Sequence, residues 1–425
     1  MGYELPVEER EYLRGLARRQ MEIAALPVMA ERRKLWEDIN DNVPGARPPF
    51  AIETWTFDRD FMPASIFRCT SEQGRRLEYG FLATIRRHEL INDDVVCPGT
   101  LDMGWHVHTD TFGIDIKWEQ VKDAEGHLLG SHTHYPITDL ATQGFGMIKP
   151  TTFSLNREST FEQKAFLEEA FGDIMPVVMR SGVYAHNYLT HHLLCLMSME
   201  TFFLSMYDCP DTLHGIMGLL RDNAKRLAQW AEAEGILELN NTHQCTCGTC
   251  YNFTKTFPKR TPERGKVRLS DMWAGMNSQE TVGVAPELFH EFCYPYYNDL
   301  AELYGQVYWG CCEDTGPIWE LSLSKLAHLK GVSISRWANQ EYMAEALKGT
   351  GIIFSRKPDP NLLGILPGLD EAAWRKEIRD TLEITSRHGV PTQLVVRDVY
   401  SLQGDVGKAR RATDIAREEI NKIYG

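Results

Sequence analysis

A glycine followed at once by an apolar, strand-forming run recurs through the second half of the chain, and this pattern limits the fold more than any other feature. It is met at Gly305–Cys312, Gly331–Trp337 and Gly351–Ser355, and again where Gly389 and Pro391 lead into Gln393–Arg397. Each glycine follows an amphipathic stretch, where it suits the left-handed residue that closes a helix. The runs are apolar rather than alternating, as expected of strands covered on both faces. Helix, glycine and strand in repetition predict a parallel α/β sheet.

Helical periodicity fills the intervals, over Pro286–Tyr304, Ile318–Leu329, Gln340–Leu347, Leu369–His388 and Val406–Ile423. Upstream, Ile174–Arg180 reads as a strand and Gly182–Asp208 as a helical region. Thr212–Glu234 reads as a long helix ended by Gly235, with Ile236–Asn240 as the next strand. Phe50–Trp55 and Val95–Cys97 bring the strands to eight, the number that closes a (β/α)8 TIM barrel. An open doubly wound sheet is the competing architecture. At the front, Val7–Ala25 and Met29–Ile39 are helical patterns broken at Leu26-Pro27, and Val43–Pro49 stops helix formation. The expected division is an N-terminal helical arm over residues 1–48 and a barrel over 49–425. Residues 56–150 mix loops with short strand-like pieces, Ala64–Arg68 and Ile114–Lys117 among them.

A formal charge of -14 argues against nucleic acid, whose phosphates call for a clustered basic surface. Met1–Arg19 has no apolar core of the signal-peptide kind, and no run reaches the roughly 18 apolar residues of a membrane span, so a cytoplasmic protein is expected. Ten cysteines in 425 residues do not make a disulfide framework. Reduced thiols, some of them on a metal, fit better.

Parallel α/β folds gather their chemistry at the carboxyl ends of the strands. Cys311, Cys312, Glu313 and Asp314 end the run that begins at Gly305, and thiolates with a carboxylate are ordinary zinc ligands. Small core residues at a strand end are the plainer alternative, and alternation would point only one of the two cysteines along the barrel axis. His243, Cys245, Cys247 and Cys250 offer a second possible metal cluster, or a loop with free thiols. His106 and His108 with Asp110, and His132 with His134, pair imidazoles on one face of an extended segment, for substrate contact or hydrogen bonding. Glu280 is a helix-start carboxylate or a ligand, and Asp398 closes the last strand facing the mouth. Arg356 and Lys357 are placed to bind an anion. Trp309 and Trp337 could wall an aromatic ligand or belong to the core.

Tyr308-Trp-Gly-Cys-Cys-Glu, Val332-Ser-Ile-Ser-Arg-Trp-Ala, Phe354-Ser-Arg-Lys-Pro-Asp-Pro and Val396-Arg-Asp-Val-Tyr resemble, in this order, the uroporphyrinogen decarboxylase superfamily. Within it they are most similar to the branch of cobalamin-dependent methyltransferases of the O-demethylase type. The resemblance implies a (β/α)8 barrel that moves a methyl group between a small substrate and a corrinoid carried by a separate protein. Relatives hold zinc on a His-x-Cys and a later cysteine. Here Trp309 or Gly310 stands where that histidine falls and Asp398 near the late cysteine, which leaves Cys311 or Cys312 with Glu280 and Asp398 as the implied ligand set. The expected activity is transfer from a small methylated substrate, an aryl methyl ether, to the cob(I)alamin of the partner. Asp398 and Glu313 are then the catalytic residues, and Trp309, Trp337, His106, His108, His243 and Arg356 touch substrate. The alternatives are transfer from a methyl-corrinoid to a thiol or folate, and a metal-dependent barrel hydrolase built on His106, His108, His243 and Asp398. A homodimer is compatible with either.

Overall fold

The computed structural model describes residues 3–110, 112–114, 116–122, 128–180, 185–245, 250–259, 261–262 and 266–425, with the side chains of 118, 122 and 128–132 outside that description. Seven strands form one parallel sheet: β1 (Phe50–Ile52), β2 (His186–Asn187), β3 (Trp273–Met276), β4 (Gln306–Trp309), β5 (Leu329–Ile334), β6 (Ile353–Arg356) and β7 (Thr392–Val396). Their order is β1-β7-β6-β5-β4-β3-β2, so the first strand lies beside the last, with Phe50 opposite Leu394 and Ile52 opposite Val396. A sheet in which first and last strands are neighbours is arranged as a TIM barrel is. Among the described residues, no backbone pairing joins β2 back to β1.

Side chains occupy two places where the sequence predicts strands. Val95–Cys97 is not a strand, because the preceding aspartates bond β1 directly: Asp94 Oδ2 accepts from Phe50 N and Asp93 Oδ2 from Ile52 N, each at 2.9 Å. Ile236–Asn240 is not a strand either. Asn240 works in place of a peptide group, donating from Nδ2 to Trp273 O and accepting from Trp273 N, both at 2.9 Å. Backbone groups at a buried sheet edge must find partners, and amide and carboxylate side chains supply them here.

Ile174–Arg180 contracts to Val177–Met179, which pairs with Leu101–Met103 outside the main sheet. Ala64–Ile66 is a 3-10 turn rather than extended chain. Lys117–Lys122 is a strand, paired antiparallel with Leu128–His134. β3, Trp-Ala-Gly-Met, is not read from the sequence because alanine and glycine have little strand preference.

The glycines before the strands serve two purposes. Gly235 and Gly389 cap their helices at φ of 69° and 64°, the left-handed conformation expected there, whereas Gly351, at φ 73°, lies beyond the Lys348 cap of its helix. Gly305, ahead of β4, and Gly331, which falls inside β5, do not; they are there for space. A Cβ on Gly305 would stand 2.3 Å from Ser270 O, and one on Gly331 would stand 2.9 Å from the Tyr308 ring.

Two N-terminal helices, Val7–Ala24 and Pro27–Asn40, pack on the body through Leu13, Ala17, Ile23, Met29 and Trp36, all buried. Arg14 clamps Asp173, and Trp36 Nε1 donates to Asp94 O at 2.8 Å. The helices therefore brace the segment whose aspartates satisfy β1.

Candidate active site

β4 ends at Trp309, and Gly310, at φ 101°, turns the chain sharply. A Cβ there would lie 2.8 Å from Ser333 Cβ, so the turn needs glycine. Because the strand stops, side-chain alternation stops with it. Both cysteines consequently reach one place: Cys311 Sγ is 3.4 Å from Cys312 Sγ, and the Cys312 thiol donates to Asp398 Oδ2 at 2.7 Å. Asp398 follows β7 with a left-handed φ of 60°, which turns it back toward β4. Ser333 on β5 fixes the first cysteine by donating to Cys311 O at 2.6 Å.

A cation completes the cluster. Arg397 Nη1 donates to Cys311 Sγ at 2.6 Å while its Nε donates to Glu53 Oε2 at 2.8 Å, and Glu53 is itself buried just after β1. The neighbouring Cys312 thiol and the Arg397 guanidinium hold Cys311 below the usual thiol range against the opposing effect of burial. Cys312 is pushed the other way, by its neighbour Cys311, by burial and by the Asp398 carboxylate. Burial works against the charge of Arg397, but Cys311 and Glu53 outweigh it and secure the cation. The two thiols are therefore pushed in opposite directions, Cys311 toward the thiolate and Cys312 away from it, in a cluster that bridges three strand ends.

Glu313 folds back beneath them. Its Oε2 accepts from Cys311 N at 2.7 Å and its Oε1 from Ser278 N at 3.4 Å, and burial raises its pKa above the ordinary carboxylate range. Glu313 and Cys312 border an open cavity of about 520 Å³ that Glu280, Val282, Met199 and Trp337 also line. Trp337 is 69% exposed and lies under the Arg336 guanidinium. Glu280 accepts from Thr190 Oγ1 at 2.8 Å and faces His191, contacts that lower its pKa despite burial.

The implied zinc set of Cys311, Cys312, Glu280 and Asp398 does not fit this arrangement. Two thiols and a carboxylate are in contact, but the Arg397 cation lies against the Cys311 sulfur where a metal ion would approach, and Glu280 is held by Thr190 and His191. Among the described residues, no group of three or more His, Cys, Asp and Glu side chains is placed to hold a metal ion. Of the second cluster, Cys245 is exposed and Cys250 buried, its Sγ 3.2 Å from Ser355 Oγ and 3.5 Å from Lys357 Nζ, while Cys247 lies outside the described residues.

The other expected contacts divide. Trp309 is fully buried against Phe289 and Tyr297 and walls nothing. Arg356 is 3% exposed, bonded to Ser335 O and Glu377, so it holds β6 to its neighbours rather than an anion. Lys357 is buried, donating to Ser355 Oγ and Tyr308 OH. His106 is tied at both ring nitrogens, to Ser159 Oγ and Gln163 Oε1. His108 stands on the exposed strand Val107–Thr109, Asp110 is held by Thr152, and His134 pairs with Glu119. His132's side chain lies outside the described residues. His243 meets Asp102 in a separate cleft that Asp398 does not border. Arg397 and Glu53 were missed by sequence reading, though each sits at a strand end, one beside Asp398.

No family model and no curated protein matches the chain. Among solved structures, a methyltransferase from Methanosarcina mazei is similar over 93% of this chain and 99% of its own, with a TM-score of 0.50 at 12% identity. A likeness at that identity is one of fold, and it agrees with a parallel α/β sheet of barrel order. Among the described residues, no helix is long and apolar enough to cross a membrane.

Proposed function

We propose that the chain is a (β/α)8 barrel methyltransferase that takes a methyl group from a small methylated substrate, an aryl methyl ether, and passes it to the cob(I)alamin of a partner corrinoid protein. The observation that carries this reading is the joining of Cys311, Cys312 and Asp398 at the strand ends, beside an open cavity with an exposed tryptophan. Displacement at a methyl carbon needs room for the acceptor opposite the departing oxygen, and a strong nucleophile such as cob(I)alamin supplies the attack.

The chain's own residues position the ether and manage the leaving group. Trp337 offers a flat face to the ring, and Val282 and Met199 complete an apolar wall. Breaking the C–O bond leaves charge on oxygen, and a proton delivered there removes most of the barrier's electrostatic part. Glu313 suits that role, because burial keeps it protonated at higher pH than an ordinary carboxyl and it lines the cavity. Asp398 orients the Cys312 thiol, and Arg397 holds the Cys311 sulfur. No step is assigned to zinc.

The test is a panel of methoxylated aromatics incubated with purified protein and cob(I)alamin, with release of the free phenol followed by chromatography. Phenol formed only when protein and reduced corrinoid are both present supports the reading. Failure of every aryl ether, with methyl transfer from methyl-cobalamin to a thiol instead, would reverse the direction.

A further inference from the structure

The cavity beside the cysteines is unbalanced in charge. Glu280, Glu313 and Asp314 border it, and among the described residues no lysine, arginine or histidine does. Glu313 is turned back onto Cys311 N and buried. The other two acids are less committed. Glu280 gives one oxygen to Thr190 Oγ1 at 2.8 Å, while the second lies 3.6 Å from Nδ1 of His191, a ring 59% exposed to water. A pair so open to solvent is weak. Asp314 accepts from Gly316 N at 2.9 Å and, among the described residues, pairs with no cation.

Two arginines close by are already engaged. Arg397 lies between Glu53 and Cys311, and Arg336 is bound to Asp359 while it covers one face of the Trp337 ring, 4.1 Å from the ring centre. Negative charge gathered beside an aromatic ring attracts a cation, through the carboxylates and through the negative face of the ring. A metal ion does not match the place, since among the described residues no three such groups are set to hold one. Met199, Val282 and Trp337 make the rest of the wall apolar. An organic cation, charged at one end and apolar along its length, matches both sides.

We propose that this cavity selects a cationic ligand, an aryl methyl ether whose ring carries an ammonium group. Asp314 and Glu280 attract the ammonium, Trp337 receives the ring, and Glu313 is left for the ether oxygen. The same acids repel a ring that carries a carboxylate, so the site discriminates by charge as well as by shape. The inference rests on the methyl-transfer reading for the ether; the preference for positive charge is a property of binding and is measured without corrinoid.

The experiment is calorimetric titration of the full-length protein at neutral pH with 4-methoxybenzylamine, 4-methoxybenzyl alcohol and 4-methoxybenzoate. The amine should bind about tenfold tighter than the alcohol and the benzoate weakest of the three, with the gap narrowing in added sodium chloride. Glu280→Gln and Asp314→Asn keep side-chain size and remove a charge, and each should cut the amine's advantage about threefold. Glu169→Gln, at an exposed acid that borders no part of the cavity, should leave it unchanged. Equal affinity for amine and alcohol, tighter binding of the benzoate, no binding of the amine, or an advantage that survives both substitutions would overturn the proposal. If Glu280→Gln loses cooperative melting, Asp314→Asn carries the test alone. Methyl transfer from neutral ethers without a preference for the amine would leave the methyl-transfer reading standing and end this one; a preference for the amine in a protein that demethylates nothing would do the reverse.

Discussion

Arg397 Nη1 stands 2.6 Å from Cys311 Sγ, closer than the 3.4 Å between the two adjacent cysteine sulfurs. That contact joins the bond from Cys312 in lowering the Cys311 pKa. Replacing Arg397 with Gln should raise the Cys311 pKa and slow its alkylation by iodoacetamide at neutral pH. Peptide mapping across pH should find the wild-type half-point below the roughly 8.5 of a free thiol and that of the variant at or above it. The sign follows for stability. A thiol whose folded pKa is depressed stabilises the fold above its unfolded value, and that contribution fades as pH falls through the folded value. Equal half-points in both proteins would show that the guanidinium does not set the charge.

Zinc content tests the same contact from another side. With Arg397 on the sulfur, protein purified without chelator should carry well under one equivalent of zinc by elemental analysis. A full equivalent, lost on Cys312→Ala, would mean that a metal displaces the guanidinium.

Glu313 is expected to act as an acid, so turnover should fall as pH rises through its elevated pKa. Glu313→Gln cannot release a proton and should lower kcat by about 10²-fold or more, with little change in KM. The pH–rate profile of the wild type, compared with the flat residual rate of the variant, is the measurement.

Trp337 and Trp309 should part company. Trp337→Ala removes an exposed face and should raise KM for aromatic substrates while leaving Tm within a degree or two. Trp309→Ala opens a cavity between Phe289 and Tyr297 and should cost about 3–5 kcal/mol by urea unfolding.

Glu419 is 1% exposed and bonded to Arg375, Arg379 and Lys422. Burial opposes its charge, but those three donors bring its pKa down to about 2. Its stabilisation is present above the ordinary glutamate pKa of roughly 4.3 and disappears as pH falls toward 2. Glu419→Gln should cost about 1–3 kcal/mol at neutral pH, discounted for the exposure of its partners, and nothing at the acid end of a denaturation series.

Much of this arrangement is legible in the sequence. The glycine-strand repeats mark β4 to β7, and Cys311, Cys312 and Asp398 do meet at strand ends. What periodicity could not supply was the closing of sheet edges by side chains. Asp93, Asp94 and Asn240 look like loop residues, yet they hydrogen-bond β1 and β3 as strands would. The meeting of both cysteines was hidden for a related reason. Alternation holds only within a strand, and Gly310 ends it one residue before Cys311. Arg397 and Glu53 lie 344 residues apart, and only the barrel order that sets β1 beside β7 brings them together.

The most direct measurement is the rate at which cob(I)alamin absorbance disappears when a methoxylated aromatic is added, for wild type and Cys312→Ser at equal folded concentration. The account predicts consumption by the wild type and loss of at least two orders of magnitude in the variant, with Tm preserved. Equal rates would place the chemistry away from the joined cysteines and contradict it.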